Sequence, residues 1–295
     1  MMKKIPIILI LSLVLGLLSG CTSEAPAEIA ATTAPVWEFT TRLCQGTGLT
    51  VSRLVTENVS CLHDYSLSVR QMKMTEQAQL VILSGAGLEK FMEDILTDKA
   101  VVDCSAGVSL LEMGEGHHHG EEPNGHDHHH EHDPHIWLSP RNAIIMAENI
   151  RNGLKANYPE FAETFDANFS QLQQELLALQ AYGESTLSRL SCRELITFHD
   201  GFGYLADAFD LHIVQAIEEE SGSEASAKEL IELIEEVEHH NLPAIFTEVN
   251  SSPAAASVIC AETGVDSYPL DMSMAGESYF DAMYHNIDTL KEALQ

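Results

Sequence analysis

Apolar and polar positions along the chain fall into two similar blocks, separated by a polar gap and a long helical stretch. In the first block, residues 28–33 form a short strand candidate and Pro35 opens a helix that runs to Cys44, as proline in a first turn should. Gly46 and Gly48 break that helix, and Leu49 to Val55 then alternates as a strand does. Met72 to Ala78 is helical and leads into Leu80-Val81-Ile82-Leu83, a continuous apolar run suited to a parallel strand covered on both faces. Ser84 to Gly87 turns the chain into a helix over Leu88 to Leu96, and Ala100 to Asp103 is the next strand. The second block repeats the plan. Strands are expected at 194–198, 211–217, 244–247 and 265–270, with helices following Gly203 and over 226–240, 253–262 and 279–294. Repeated βα units with short connections predict parallel sheets covered by helices.

Between the blocks the pattern changes twice. No apolar side chain occurs from Gly114 to His135 apart from prolines, so this run cannot build a core. Residues 140–190 then form the expected connector, broken near Tyr158-Pro159, where Phe161, Phe165, Phe169, Leu172, Leu176 and Leu179 keep helical spacing. The predicted fold class is therefore α/β. Two βα-repeat lobes (21–139 and 191–295) are joined by a long rigid connector helix (140–190). Residues 1–20 stand apart. Lys3 and Lys4 precede the apolar run Ile5 to Leu18, which ends at Leu-Ser-Gly-Cys21, the layout of a secretory signal. A membrane span wants roughly 18 or more consecutive apolar residues, and this run is shorter.

Composition narrows the function. A formal charge of −30 argues against nucleic acid and anionic membrane surfaces as ligands and concentrates cations instead. Beyond Cys21 there are five cysteines (Cys44, Cys61, Cys104, Cys192, Cys260) and no CxxC pattern, so a cysteine zinc site is not expected. Outside the cytoplasm thiols can pair. Cys192 and Cys260 are the candidate pair, since both fall at the amino-terminal edge of the second predicted sheet.

The polar run holds His117, His118, His119, His126, His128, His129, His130 and His132 among acidic residues. Imidazole and carboxylate together suit zinc and its neighbours in the first transition row, so the run reads as a weak, multivalent metal collector. A more specific set is dispersed. His63, His135, His199 and Asp271 each follow a strand or stand at a loop mouth, and ligands of open parallel sheets bind at those ends. Converging between the lobes they would form an N₃O sphere, which zinc accepts tetrahedrally. Each alone could equally be a hydrogen-bonded loop residue. His212, His239, His240 and His285 lack such placement and are read as structural.

Five segments decide between these readings: LHDYS (62–66), HDPHIWLSP (132–140), TFHDGFGYL (197–205), AIFTEVNSSP (244–253) and YPLDMS (268–273). In this order they resemble the cluster A-I solute-binding lipoproteins that deliver zinc or manganese to ATP-binding-cassette importers. The resemblance implies that His63, His135 and His199 are metal ligands and that Asp271 fills the carboxylate position. It places Glu248 behind a ligand imidazole as its acceptor. Cys21 matches the lipidated cysteine of bacterial lipoproteins, implying a lipid anchor on the outside of the cell membrane. The acidic His-rich loop points to the zinc branch, with Mn²⁺ or another divalent transition ion as the alternative. The implied partners are the metal ion and a membrane permease, with the chain acting as a monomer and not as an enzyme. Three other readings stand beside it: a secreted zinc hydrolase, which lacks an HExxH motif here, a cell-adhesion protein, and a stand-alone metal buffer.

Overall fold

The computed structural model describes residues 27–57, 59, 62, 65–112, 132–216, 226–249, 251–274, 276 and 278–295. Residues 1–20, Cys21, Cys61, His63, and the loop histidines from His117 to His130 lie outside them.

The amino-terminal lobe contains β1 (Ile29–Ala31), α1 (Ala34–Leu43), β2 (Val51–Arg53), α2 (Val69–Gln77), β3 (Leu80–Leu83), α3 (Glu93–Leu96) and β4 (Ala100–Asp103). Its sheet runs β2-β1-β3-β4 and every pairing is parallel. The carboxyl-terminal lobe contains β5 (Glu194–Thr197), α6 (Gly203–Ala208), β6 (His212–Ala216), α7 (Ala227–His240), β7 (Ala244–Glu248), α8 (Ala254–Thr263), β8 (Asp266–Leu270) and α9 (Tyr279–Leu294). Its sheet runs β6-β5-β7-β8, again all parallel. The two lobes thus share one strand order, with the reversal between β1 and β3 in one and between β5 and β7 in the other. That reversal is where an open parallel sheet leaves a crevice at its carboxyl edge.

Local chemistry sets the ends of these elements. Ser68 with Gln71, and Ser226 with Glu229, form reciprocal capping boxes that satisfy the first amides of α2 and α7. The helix expected at 88–96 is shorter. Glu89 turns its side chain back onto the amides of Ser84 and Gly85, and a 3₁₀ turn at Lys90–Met92 precedes the single turn of α3.

The connector is a helical hairpin and not one helix. α4 (Pro140–Asn157) and α5 (Ala162–Thr186) are separated at Tyr158-Pro159. They lie antiparallel, as Arg141 to Glu184 (2.7 Å) at one end and Lys155 to Asp166 (2.6 Å) at the other require. α4 belongs with the first lobe: Asn149 donates to the carbonyls of Cys104 and Ala106. α5 reaches both lobes. Asn168 donates to Leu43 O, and Arg42 pairs with Glu175 at 2.7 Å on one side. On the other, Tyr182 donates to Asp288 and Gly183 lies flush against the ring of Phe209. Among the described residues no helix is long and apolar enough to cross a membrane.

The expected Cys192–Cys260 bridge is absent. Both thiols are free, as are those of Cys44 and Cys104. Cys192 instead directs its sulfur at the carbonyl of Glu194, 3.5 Å away.

Candidate metal centre

The segment after the polar run enters the first lobe through a short antiparallel bridge between Glu112 and His132, extended by Asp133 N donating to Leu111 O (2.9 Å). His132, the one loop histidine among the described residues, is exposed there. The next residues turn inward because Asp133, two positions before His135, closes a local turn: its Oδ1 accepts from His135 N at 2.9 Å. The same oxygen lies 2.7 Å from His135 Nδ1. A carboxylate there keeps the proton on Nδ1 and puts the imidazole lone pair on Nε2, the arrangement a metal-binding histidine uses. Ile136, Trp137 and Leu138 are wholly buried beyond it, and Pro140 starts α4. The Trp137 ring stands edge-on to His135 at 5.4 Å, and its Nε1 donates to Met272 O at 2.8 Å. That bond ties the His135 segment to the loop carrying Asp271.

Asp133 is also held from the second lobe. Tyr204 Oη donates to Asp133 O at 3.1 Å and accepts from Leu111 N at 2.9 Å. Burial pushes the Tyr204 phenol up to about 12, so it remains a donor across the ordinary pH range. The absence of a side chain at Gly203 leaves room for Asp133 Oδ2, which would sit 3.0 Å from a Cβ at that position.

His199 comes from the second lobe, two residues past β5, where Thr197 Oγ1 donates to its carbonyl (3.0 Å). Its Nδ1 lies 3.4 Å from Oε1 of Glu248, a buried carboxylate at the end of the adjacent strand β7. His199 and Glu248 therefore occupy the reversal point of this sheet. The rings of His135 and His199, 64 positions apart in sequence, meet edge to face with centroids 5.2 Å apart. A side chain at Gly201 would collide here: its Cβ would fall 2.6 Å from His199 Cδ2, 2.8 Å from Nε2 and 2.8 Å from Met272 Cε. Gly201→Ala should displace the imidazole and weaken metal binding by about 10- to 100-fold, the penalty typical of a misoriented ligand. Zinc calorimetry on the folded variant checks it.

Asp271 sits one residue past β8, beside Glu248, since Glu248 and Leu270 are register partners. Its Oδ1 accepts from Ser273 N at 2.7 Å. Buried Asn286 on α9 grips its backbone on both sides, accepting from Asp271 N (2.7 Å) and donating to Asp271 O (2.8 Å). The following loop is clamped by the first lobe, because Arg53 donates to Met274 O (2.6 Å) and Gly276 O (2.9 Å). Leu62, next to His63, is fully buried, with Tyr65 N donating to its carbonyl. Asp133, Gly201 and Tyr204 lie within the segments that carry the resemblance but were given no role in the site, and Asn286 lies outside those segments. Only Asp133 carried a readable signal, the Asp-Pro-His spacing.

Comparison with known proteins adds four findings. A model of the zinc-uptake complex component A, periplasmic (ZnuA), matches residues 29–293. The zinc-binding lipoprotein AdcA of Streptococcus pneumoniae is 33% identical over 99% of this chain, and the chain spans 61% of that relative's length. Among solved structures, ZnuA superposes with a TM-score of 0.78 at 27% identity, covering 91% of this chain and all of that one. The Zn(II)-bound ZnuA-like domain of S. pneumoniae AdcA gives 0.75 at 28% identity, over 91% and 98% respectively.

Proposed function

The chain belongs to the zinc-uptake component A family, and from that premise we propose that it captures Zn²⁺ outside the cytoplasm and delivers it to the permease of an ATP-binding-cassette importer. The observation that carries this reading is the meeting of His135 and His199 from the two halves of the molecule, each with Nδ1 facing a carboxylate, Asp133 or Glu248. Two imidazoles buttressed in this way suit a borderline ion, and tetrahedral N and O donors favour Zn²⁺ over Mn²⁺. The proposed ligands are His63, His135, His199 and Asp271, with Asp133 and Glu248 orienting the two rings. Cys21 carries the lipid anchor.

Capture needs neutral imidazoles, so it is favoured near neutral pH and reversed as the histidines protonate. Seven histidines between His117 and His130, two to fifteen residues upstream of His132, give the chain a weak metal reservoir. Because α5 is fastened to both lobes and Arg53 and Trp137 bind the loop after β8, release involves a local change near the cleft and not a wide hinge opening. No hydrolytic step is part of this proposal: the paired carboxylates face imidazoles, whereas a catalytic zinc needs an open water position and a general base.

The test is zinc calorimetry together with the metal content of protein purified without added ions. One tight equivalent is expected, retained when residues 113–131 are deleted, with only weak equivalents lost. Loss of the tight equivalent on that deletion would refute the cleft as the capture site.

A further inference from the structure

The last turn of α7 carries Glu236, His239 and His240, whose ligand atoms all lie within 4.8 Å of one another. His240 stands between two carboxylates: Nε2 is 3.3 Å from Glu236 Oε2, and Nδ1 is 3.0 Å from Glu194 Oε2. The rings of His239 and His240 meet edge to face at 4.9 Å. Glu194 opens β5, whereas His199 lies past its other end. Five residues at strand rise separate them by about 16 Å, so this cluster is on the opposite edge of the sheet from the cleft.

We propose that Glu236, His239 and His240 form a second divalent transition-metal site, with Glu194 as the positioning residue for His240. Three features support it. Tetrahedral bonds of zinc to nitrogen and oxygen put neighbouring donor atoms about 3.4 Å apart, a spacing these side chains reach by small rotamer changes. Glu194 on Nδ1 presents Nε2 to the ion, repeating the carboxylate–imidazole pairing seen at His135. The helix ends here at Asn241, in the left-handed conformation, and the negative end of the helix dipole favours a cation. Two imidazoles and one carboxylate leave a fourth position to solvent. With half-exposed donors, the site binds more weakly than a closed one and staples the end of α7 to the start of β5 when metal is plentiful.

The experiment uses the full chain and Zn²⁺ alone, read by histidine side-chain NMR, with the His239 and His240 signals assigned from the His239→Gln and His240→Gln variants. The two signals are expected to move together as zinc is added, in the wild type and equally in His135→Ala. In His240→Gln, the His239 signal should need about tenfold more zinc, and Glu194→Gln should weaken the joint transition about tenfold while both signals still move. The proposal is overturned if either signal stays fixed at millimolar Zn²⁺. It is also overturned if His239 titrates identically with and without His240, the behaviour of isolated surface histidines.

Discussion

Replacing His135 with alanine is expected to weaken zinc binding by about a thousandfold while both lobes stay folded. The magnitude follows from dividing a zinc-site free energy of about 10–16 kcal/mol over four proposed ligands, which assigns about 2.5–4 kcal/mol to each, the upper end being about a thousandfold. His135 is the member least able to be replaced by solvent. It is 1% exposed, lies behind Trp137, and is fixed by two contacts to one Asp133 oxygen. Removing the ring leaves Asp133 with its bonds to backbone and Tyr204 intact at the main chain, so the cost to the metal-free fold is about 1–2 kcal/mol for the lost imidazole contact. Calorimetry with Zn²⁺ measures the first quantity and urea unfolding of the metal-free protein the second. Tight binding unchanged in His135→Ala would move the ion away from the cleft, to the histidines between 117 and 130.

The parallel arrangement of both sheets was readable from the sequence, because Leu80–Ile82 and Ala244–Phe246 are buried on both faces and so carry uninterrupted apolar runs, whereas the strand order comes from the structure alone. The helical hairpin was not. The apolar stripe of α5 and the face of α4 have the same period, and nothing in periodicity tells one connector from two arms folded together. The antiparallel register is set by ion pairs such as Lys155 to Asp166, contacts of a kind that surface composition does not announce. The meeting of His135 and His199 was legible only as one imidazole at a loop mouth and one at a strand end, and through motif resemblance. Their carboxylate supports differ in this respect. Glu248 ends a strand whose apolar run gives it away, whereas Asp133 reaches His135 through a turn inside an otherwise polar segment. The group on α7 was passed over because Glu-x-x-His-His at a helix end looks like a solvated last turn. Its connection to Glu194 is made by His240, 46 positions away in sequence.

The two lobes share a topology but use the reversal point of each sheet differently. In the second lobe it holds His199 and Glu248, both near the cleft. In the first lobe the equivalent place is closed by hydroxyls and one carboxylate: Thr33 and Ser84 are bonded at 2.8 Å, and Thr32 donates to Glu89 at 2.6 Å. Glu89 also accepts from Ser84 N (2.7 Å) and Gly85 N (3.1 Å), and so pins the turn over Gly85, Ala86 and Gly87, all three in the left-handed region. A side chain at Gly85 would overlap Asp103, which makes glycine necessary there for space as well as for conformation.

Glu89 therefore gives the fold a pH dependence that does not pass through the proposed metal ligands. Burial raises its carboxyl from 4.5 to about 7, against the opposing pull of three donated hydrogen bonds, and nearby Asp103 adds to the rise. The sign follows from proton counting. Between pH 4.5 and about 7 the folded chain holds a proton at Glu89 that the unfolded chain has released, so stability falls as pH rises. The full contribution is present below the unfolded value and is lost on passing the folded one. At 1.36 kcal/mol per unit the loss is about 3 kcal/mol. Glu89→Gln is uncharged at every pH, and the cost of turning an amide toward Ser84 and Gly85 is a constant offset. The difference in urea-unfolding free energy between wild type and Glu89→Gln, both metal-free, should therefore fall by about 3 kcal/mol between about pH 4.5 and about pH 7.5. Taking the difference cancels the histidines, which titrate alike in both proteins. A difference that stays flat across this window would mean that Thr32, Ser84 and Gly85 hold the carboxylate ionised throughout, with their hydrogen bonds outweighing its desolvation.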